Sequence, residues 1–300
     1  MAMDWQARLK EYLAPRTQLV NAALEDYLSE FPPLPRVLPE AMRYAALGAG
    51  KRLRPILCIA AAEALGGAAE QVIPTACAIE CIHAFSLVHD DLPAMDNDRL
   101  RRGQPTVWVK YGEAMAILAG DALFAKAFEL LAEQARLSPP ERVAQALHLI
   151  ATASGIHGMC GGQVEDILCE GQTISAEQLQ FIHAHKTGAL IRASVLSGAI
   201  LAGADAAQQA ALDVYSRALG LAFQIADDIL DETAPTEQMG KPAGSDRAHR
   251  KATYPALFGL EGARARAQQA KQEAIDALQP FDTRADPLRW LAVYAVERTH

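Results

Sequence analysis

Apolar residues along this chain recur at helical rather than alternating spacing. Alanine and leucine dominate, β-branched runs are short, and no stretch alternates strictly, so the sequence predicts helix nearly throughout. Breakers punctuate it. Phe31-Pro-Pro-Leu-Pro35 separates a first helix from a second, Gly66-Gly67 closes the next, and Pro74 stands where another can begin. Ser138-Pro-Pro-Glu141 predicts an N-cap at Ser138, proline at the first helical position and a capping-box glutamate. Ser175-Ala-Glu-Gln178 predicts a second capping box, before a helix over Leu179–Leu190. The longest expected non-helical stretch runs from Thr233 to Ala252, rich in Pro, Gly, Lys and Arg. None of these breaks has the composition of a flexible Gly/Ser linker, and no tandem repeat is present. The expectation is one all-helical domain over residues 1–300.

Composition narrows the function classes. The chain is 51% hydrophobic and 21% charged, enough apolar surface for a sizeable core. Lys and Arg number 28 against 36 Asp and Glu, a net charge of −8 that argues against a generic nucleic-acid binder. Any anionic ligand must then be met by locally concentrated cations or by metal ions. The 5 cysteines are odd in number and too sparse for a disulfide framework, and the spacing of Cys77 and Cys81 in an apolar stretch reads as core packing. Met1–Lys10 contains Asp4 and no apolar signal region, and no uncharged apolar run reaches the roughly 18 residues of a membrane span. These features predict a cytoplasmic chain without stable membrane insertion.

Two places break the apolar pattern in the same way. In Phe85-Ser-Leu-Val-His-Asp90-Asp91-Leu-Pro-Ala-Met-Asp96 and in Gln224-Ile-Ala-Asp227-Asp228-Ile-Leu-Asp231, an apolar helix runs directly into adjacent carboxylates. Asp227, Asp228 and Asp231 fall within an arc of about 100° on one face, where like charges repel. Such density of hard oxygen ligands suits Mg²⁺. The alternative for either cluster alone is a solvated acidic face near a helix end. Both clusters continue from apolar helix and Arg101-Arg102 follows the first, which weighs against that alternative for the pair. Asp96 lies about 120° from Asp90 on an unbroken helix, so Pro93 must distort or end the helix to bring it back.

Asp90-Asp91-Leu-Pro-Ala-Met-Asp96 with Arg101-Arg102-Gly103 resembles the first aspartate-rich motif of the short-chain trans-prenyl diphosphate synthases. The inserted Pro93-Ala94 resembles the bacterial farnesyl diphosphate synthase (geranyltranstransferase) branch, and Asp227-Asp228-Ile-Leu-Asp231 resembles the second motif. The likeness extends in order through Gly50-Lys51-Arg52-Leu53-Arg54-Pro55, Glu80-Cys-Ile-His83, Gly120-Asp121-Ala-Leu123, Gly161-Gly162-Gln163, His185-Lys186-Thr187-Gly188 and Lys251-Ala-Thr253-Tyr-Pro255. It covers about Arg43 to Leu260.

This resemblance implies an isoprenoid-synthase-like helical bundle around a central cavity, and a homodimer. It implies head-to-tail condensation of isopentenyl diphosphate with geranyl or dimethylallyl diphosphate to give farnesyl diphosphate, with geranylgeranyl or geranyl diphosphate as alternative products. Several Mg²⁺ ions, with Mn²⁺ as a substitute, would be held by Asp90, Asp91, Asp96, Asp227, Asp228 and Asp231. Lys51, Arg54, His83 and Arg102 would bind isopentenyl diphosphate without metal, and Arg101, Lys186, Lys241 and Lys251 would serve the allylic diphosphate. Lys186, Thr187 and Gln224 would act in catalysis, the last two turning oxygens towards a developing carbocation. Without the resemblance, Lys51 and Arg54 read equally as an exposed basic loop, His83 as a core histidine, and Arg101 and Arg102 as helix-end charges. The family's usual cation near Lys241 is Ser245 here. Phe85, five residues before Asp90 and thus about 7.5 Å along the helix, is the expected pocket floor with small Ser86 beside it. It lies about 140° round the helix from Asp90, so its ring must slant inward to serve.

Three competing classes are weaker. A class I terpene cyclase wants a different second motif from Asp227–Glu232, and a di-iron bundle wants a second Glu-x-x-His beside Glu80–His83. A non-catalytic homologue would have lost motif aspartates, which are present.

Overall fold

The computed structural model describes residues 5–29, 31, 34–233 and 252–298. Helices dominate as expected: α1 (Trp5–Tyr27), α2 (Val37–Leu47), α3 (Leu53–Ala64), α4 (Ile73–Asp90), α5 (Val107–Tyr111), α6 (Glu113–Glu133) and α7 (Pro140–Ser154). They continue with α8 (Met159–Cys169), α9 (Ala176–Ile182), α10 (Ala189–Ala202), α11 (Ala206–Thr233), α12 (Tyr254–Ala277) and α13 (Asp286–Glu297). α12 is broken at Gly259, whose φ of 70° lies outside the helical region.

The innermost helices are apolar all round, as a helix without a solvent face must be. In α3, Pro55 through Ala62 are all buried, and in α10 Ala193 through Leu201. The segment Ala69–Asp90, which contains α4, is long and apolar enough to cross a membrane by length and composition, but 72% of its apolar window is buried inside the bundle. α4 packs between α3 and α6, and α10 between α3, α7 and α11. A close approach is needed for the α3–α10 contact. A side chain at Gly198 would collide with the Cys58 backbone.

Arg52 and Glu80 pair inside this core. Arg52, left-handed at φ 50°, donates to Glu80 at 2.7 Å, with side chains only 4% and 5% exposed. Arg52 also donates to Asn21 Oδ1 and to the Gly48 carbonyl, so its guanidinium ties α1, the α2–α3 turn and α4 together. Cys58, Cys77, Cys81 and Cys169 are buried free thiols and Cys160 is exposed. Burial pushes the Cys58 and Cys81 thiols up to about 12, which keeps them unreactive.

Three local expectations change. Leu100–Arg101 and Gln104–Pro105 form a short antiparallel hairpin, whose loop residues Arg102 and Gly103 both have positive φ. The helix before Ser138 extends through a tight turn at Gln134–Arg136, and Pro139 rather than Ser138 caps α7. The reason is the buried Gln134 amide, which donates to Ser138 Oγ and the Gln71 carbonyl and so takes the serine. The Ser175 capping box forms with both reciprocal hydrogen bonds, but the helix it starts does not stay α-helical. It passes through a π-helical segment, His183–Gly188, before becoming α10. Of the expected loop from Thr233 to Ala252, Thr233 ends α11 and residues 234–251 lie outside the described residues.

Removing Glu80 leaves a desolvated arginine, so Glu80→Ala should lower unfolding free energy by about 3–5 kcal/mol in urea titrations. A loss below about 1 kcal/mol would show that water reaches Arg52 and that the pair does not organise this corner.

Candidate active site

α4 delivers the first carboxylates because its hydrogen bonding runs out there. The chain turns at Pro93, and the Asp96 N–H donates back to the Asp90 carbonyl at 2.8 Å, while Asn97 reaches the Leu92 carbonyl at 3.0 Å. The turn returns Asp96 to the helix end, as its spacing required. α11 carries the second cluster on the opposite wall. Between them lies a cavity of about 580 Å³.

Most of the expected residues converge on it. Arg54, His83, Phe85, Ser86, Asp90, Asp96, Arg101, Lys186, Thr187, Gln224, Asp227 and Asp228 all line the cavity. Lys51, Asp91, Arg102 and Asp231 do not. Lys51 Nζ sits over the Tyr294 ring at 5.5 Å, and Arg102 donates to the Ala49 carbonyl. Arg102, Arg101 and Asp91 border a second cavity of about 290 Å³. Lys241, Lys251 and Ser245 lie outside the described residues.

Each adjacent aspartate pair has one member buried and tied into the fold, Asp91 away from the cavity and Asp228 still bordering it. Asp91 is 3% exposed and accepts from Arg101 Nε at 2.8 Å and Nη2 at 2.6 Å. Burial opposes the charge on Arg101, yet the hydrogen bond and charge of Asp91, with Asp90 and Asp98 nearby, hold its pKa above the usual value. Asp228, also 3% exposed, accepts from Gln224 Nε2 at 3.0 Å and from the Tyr254 N–H at 2.9 Å, tying α11 to the start of α12. Asp227 by contrast is 43% exposed and accepts from Arg298 at 2.5 Å.

The π segment presents the next pair. Lys186 donates to Asp166 of α8 at 2.6 Å, and the Thr187 hydroxyl donates to Gln224 Oε1 at 2.9 Å. Gln224 is thus held at both ends, by Thr187 and Asp228, and one lone pair of Oε1 and those of Thr187 Oγ1 stay available to the cavity. A side chain at Gly162 would collide with the Lys186 backbone, so glycine there lets α8 close on the π segment. Gly120 has the same role opposite the His89 ring, whose Nε2 lies 3.1 Å from the Ile117 carbonyl.

The cationic end is built by α3 and α4. His83 Nε2 lies 3.3 Å from Arg54 Nη1. Burial, then Arg54 and the other nearby arginines, holds the imidazole well below its ordinary pKa, so it is neutral and accepts from Arg54. Arg54 Nε is buried without a hydrogen-bond partner, as is the acceptor Gln163 Oε1 in the same cavity wall. An orphaned guanidinium N–H calls for an anion. The Phe85 ring packs against Phe124 at 5.0 Å and His89 at 4.8 Å, and Phe124 against Phe128 at 5.2 Å. Phe85 lines the cavity, backed by Phe124 and Phe128 of α6.

Sequence reasoning did not single out Asp166, Arg298, His89 or Tyr254. Asp166 had a local signal, three residues after Gln163 on one helical face. The other three depend on contacts distant in sequence.

A family model described as Polyprenyl synthetase matches residues 35–286. The chain belongs to the polyprenyl synthetase family. It is 43% identical over 297 residues to a farnesyl diphosphate synthase of Geobacillus stearothermophilus, covering 98% of this chain and 99% of that one. It is 44% identical over 295 residues to a geranylgeranyl diphosphate synthase of Cyanophora paradoxa, covering 97% of each. A crystal structure of an FPP/GFPP synthase from Zymomonas mobilis superposes with a TM-score of 0.85 at 39% identity, covering 99% of this chain and 100% of that one. The polyprenyl synthetase chain described here is accordingly an all-α prenyltransferase, a transferase of isoprenoid biosynthesis that uses isoprenyl diphosphates.

The His83 environment gives this polyprenyl synthetase an acid-sensitive element. Its folded pKa is depressed, so the unfolded chain binds the proton better, and the stabilising difference present above about pH 6.5 is lost as pH falls below it. Between about pH 7.5 and 5, the urea midpoint of the wild type should fall further than that of His83→Asn. Parallel curves would mean that His83 protonates freely in the folded protein.

Proposed function

We propose that this chain makes farnesyl diphosphate, by condensing isopentenyl diphosphate with geranyl and dimethylallyl diphosphate in a Mg²⁺-dependent reaction. The observation that carries this reading is one cavity lined both by carboxylates, Asp90, Asp96 and Asp227, and by Arg54 with its buried, unpartnered Nε. Two anions of similar chemistry are then distinguished by how they are neutralised.

The donor set fits Mg²⁺. Asp90, Asp96 and Asp227 bring hard carboxylate oxygens to the cavity lining. Mg²⁺ takes one or two such carboxylates and completes its shell with water and substrate phosphate oxygens. Asp90 and Asp96 on one wall and Asp227 on the other would hold it, with Asp91 and Asp228 fixing the chain beneath. Mg²⁺ bound there would supply charge neutralisation for the departing diphosphate.

The chain's own residues then do the following. Arg54, with its unpartnered Nε–H, takes the isopentenyl diphosphate, and neutral His83 holds the guanidinium plane by accepting from Nη1. Lys186, positioned by Asp166, adds positive charge at the allylic end. The allylic carbon–oxygen bond breaks, with its electron pair leaving on the diphosphate, and Thr187 and Gln224 turn oxygen dipoles towards the carbocation. The π electrons of isopentenyl diphosphate form the new carbon–carbon bond, and the proton lost afterwards goes to the diphosphate. No protein base is assigned. Phe85, a cavity-lining ring backed by Phe124, would stop the growing chain and favours a fifteen-carbon product.

We also propose a homodimer, supported by Ile117, Leu118 and Phe128, which stand exposed along α6.

Two measurements test this reading. Arg54→Ala should raise KM for isopentenyl diphosphate more than KM for geranyl diphosphate, and more than Lys51→Ala does, because Lys51 stands outside the cavity. Equal effects on both substrates would remove the two-subsite division. Chain-length analysis after incubation with both substrates and Mg²⁺ should give farnesyl diphosphate from the wild type. Phe85→Ala should then run on to geranylgeranyl diphosphate or longer, and Ser86→Phe should stop at geranyl diphosphate. A wild type that makes twenty carbons would transfer the reading to geranylgeranyl diphosphate synthesis, which the Cyanophora relative supports.

A further inference from the structure

The end of α13 reaches into the second aspartate cluster. Arg298 Nη2 lies 2.5 Å from Asp227 Oδ1 and 3.3 Å from the Phe223 carbonyl, and its Nε lies 3.3 Å from the Ala295 carbonyl. The guanidinium stacks on the Phe223 ring at 3.8 Å, which leaves the arginine side chain 7% exposed while Asp227 remains 43% exposed. One helical turn earlier, Tyr294 lies beneath Lys51. The same helix end therefore touches both a carboxylate proposed for metal and a lysine expected at the other diphosphate.

A stacked, desolvated guanidinium is held firmly in place. It supplies counter-charge to a cluster whose carboxylates repel one another. A divalent cation on Asp227 would stand within a few ångströms of it, where two positive charges repel even beside a partly exposed carboxylate. Oδ1 cannot give its full charge to both.

We propose that Arg298 is a positioning residue, the resident counter-cation of Asp227, which holds this carboxylate in the metal-free enzyme and must yield it when a divalent cation binds. The inference rests on the reading of Asp227 as a metal-binding carboxylate. It makes metal binding and the Arg298 contact mutually competitive. It also makes inorganic diphosphate a helper, because the displaced guanidinium then gains a new anion.

The test is Mn²⁺ binding to the whole protein, followed by electron paramagnetic resonance of free Mn²⁺, with and without inorganic diphosphate. Without diphosphate, Arg298→Gln and Arg298→Met should bind Mn²⁺ about tenfold more tightly than wild type, while Arg298→Lys, which keeps the charge, stays close to wild type. Met preserves the apolar stem over Phe223, so at least one charge-free variant should remain folded. Both charge-free variants should melt at lower temperature without metal, and adding diphosphate should tighten Mn²⁺ binding most in the wild type. Asp227→Ala is the control for the underlying reading and should weaken Mn²⁺ binding. If it does, yet the charge-free Arg298 variants bind no more tightly than wild type, the competition is absent and this inference is overturned. If Asp227→Ala binds Mn²⁺ as well as wild type, Asp227 is not a ligand and the underlying reading falls as well.

Discussion

Like charges crowded at the inner ends of two apolar helices are the constraint on which this molecule is built. Asp90 and Asp91 end α4, and Asp227 and Asp228 stand near the end of α11. Burying such groups without partners would cost more than a small bundle can supply. Among the described residues these groups take polar partners: Arg101 on Asp91, Gln224 and the Tyr254 N–H on Asp228, Arg298 on Asp227. On the cationic side Lys186 leans on Asp166, and Arg54 on neutral His83. Part of the charge around the resting cavity is thus met by the protein's own side chains, and substrate binding there becomes a replacement of internal partners by external ones.

Such replacement needs a rigid frame, and the frame comes from backbone proximity more than from side-chain bulk. Gly198 lets α10 lie against α3, Gly162 lets α8 close on the π segment, and Gly120 leaves room for His89. The buried Arg52–Glu80 pair fixes the turn that leads into α3 and Arg54. Catalysis by electrostatic preorganisation depends on dipoles that do not have to reorient during the reaction. Thr187, Gln224 and Asp228 form a chain of hydrogen bonds of that kind.

The sequence made much of this legible, because the decisive signals are local. Helical spacing of alanine and leucine, breakers at Pro35 and Gly66-Gly67, and carboxylates abutting apolar helix can all be read within a short window. The same window placed Asp96 back at the helix end, through Pro93. Roles that depend on distant contacts were not readable. Arg101 is only 10 residues from Asp91, but that it makes Asp91 a buried anchor depends on the hairpin that folds it back. Nothing near Asp227 points to Arg298, 71 residues away. The serine at 138 failed as a cap for the same reason, since its competitor Gln134 is fixed by Gln71 and Thr75 from another helix.

The π segment at His183–Gly188 carries a consequence for how the chain can change length. It is one turn in which the hydrogen-bonding register is wider than in the helices on either side, a feature that arises when a residue is accommodated without breaking the rod. Deleting one residue there would restore regular α-helix and rotate α9 by about 100° relative to α10. The Ser175 cap and the packing of Leu179 and Ile182 would then point elsewhere, although every remaining residue type was unchanged. Insertions and deletions in this rod are therefore rotations of one wall of the cavity. A shift of that kind would alter the shape of the site more than most substitutions within it.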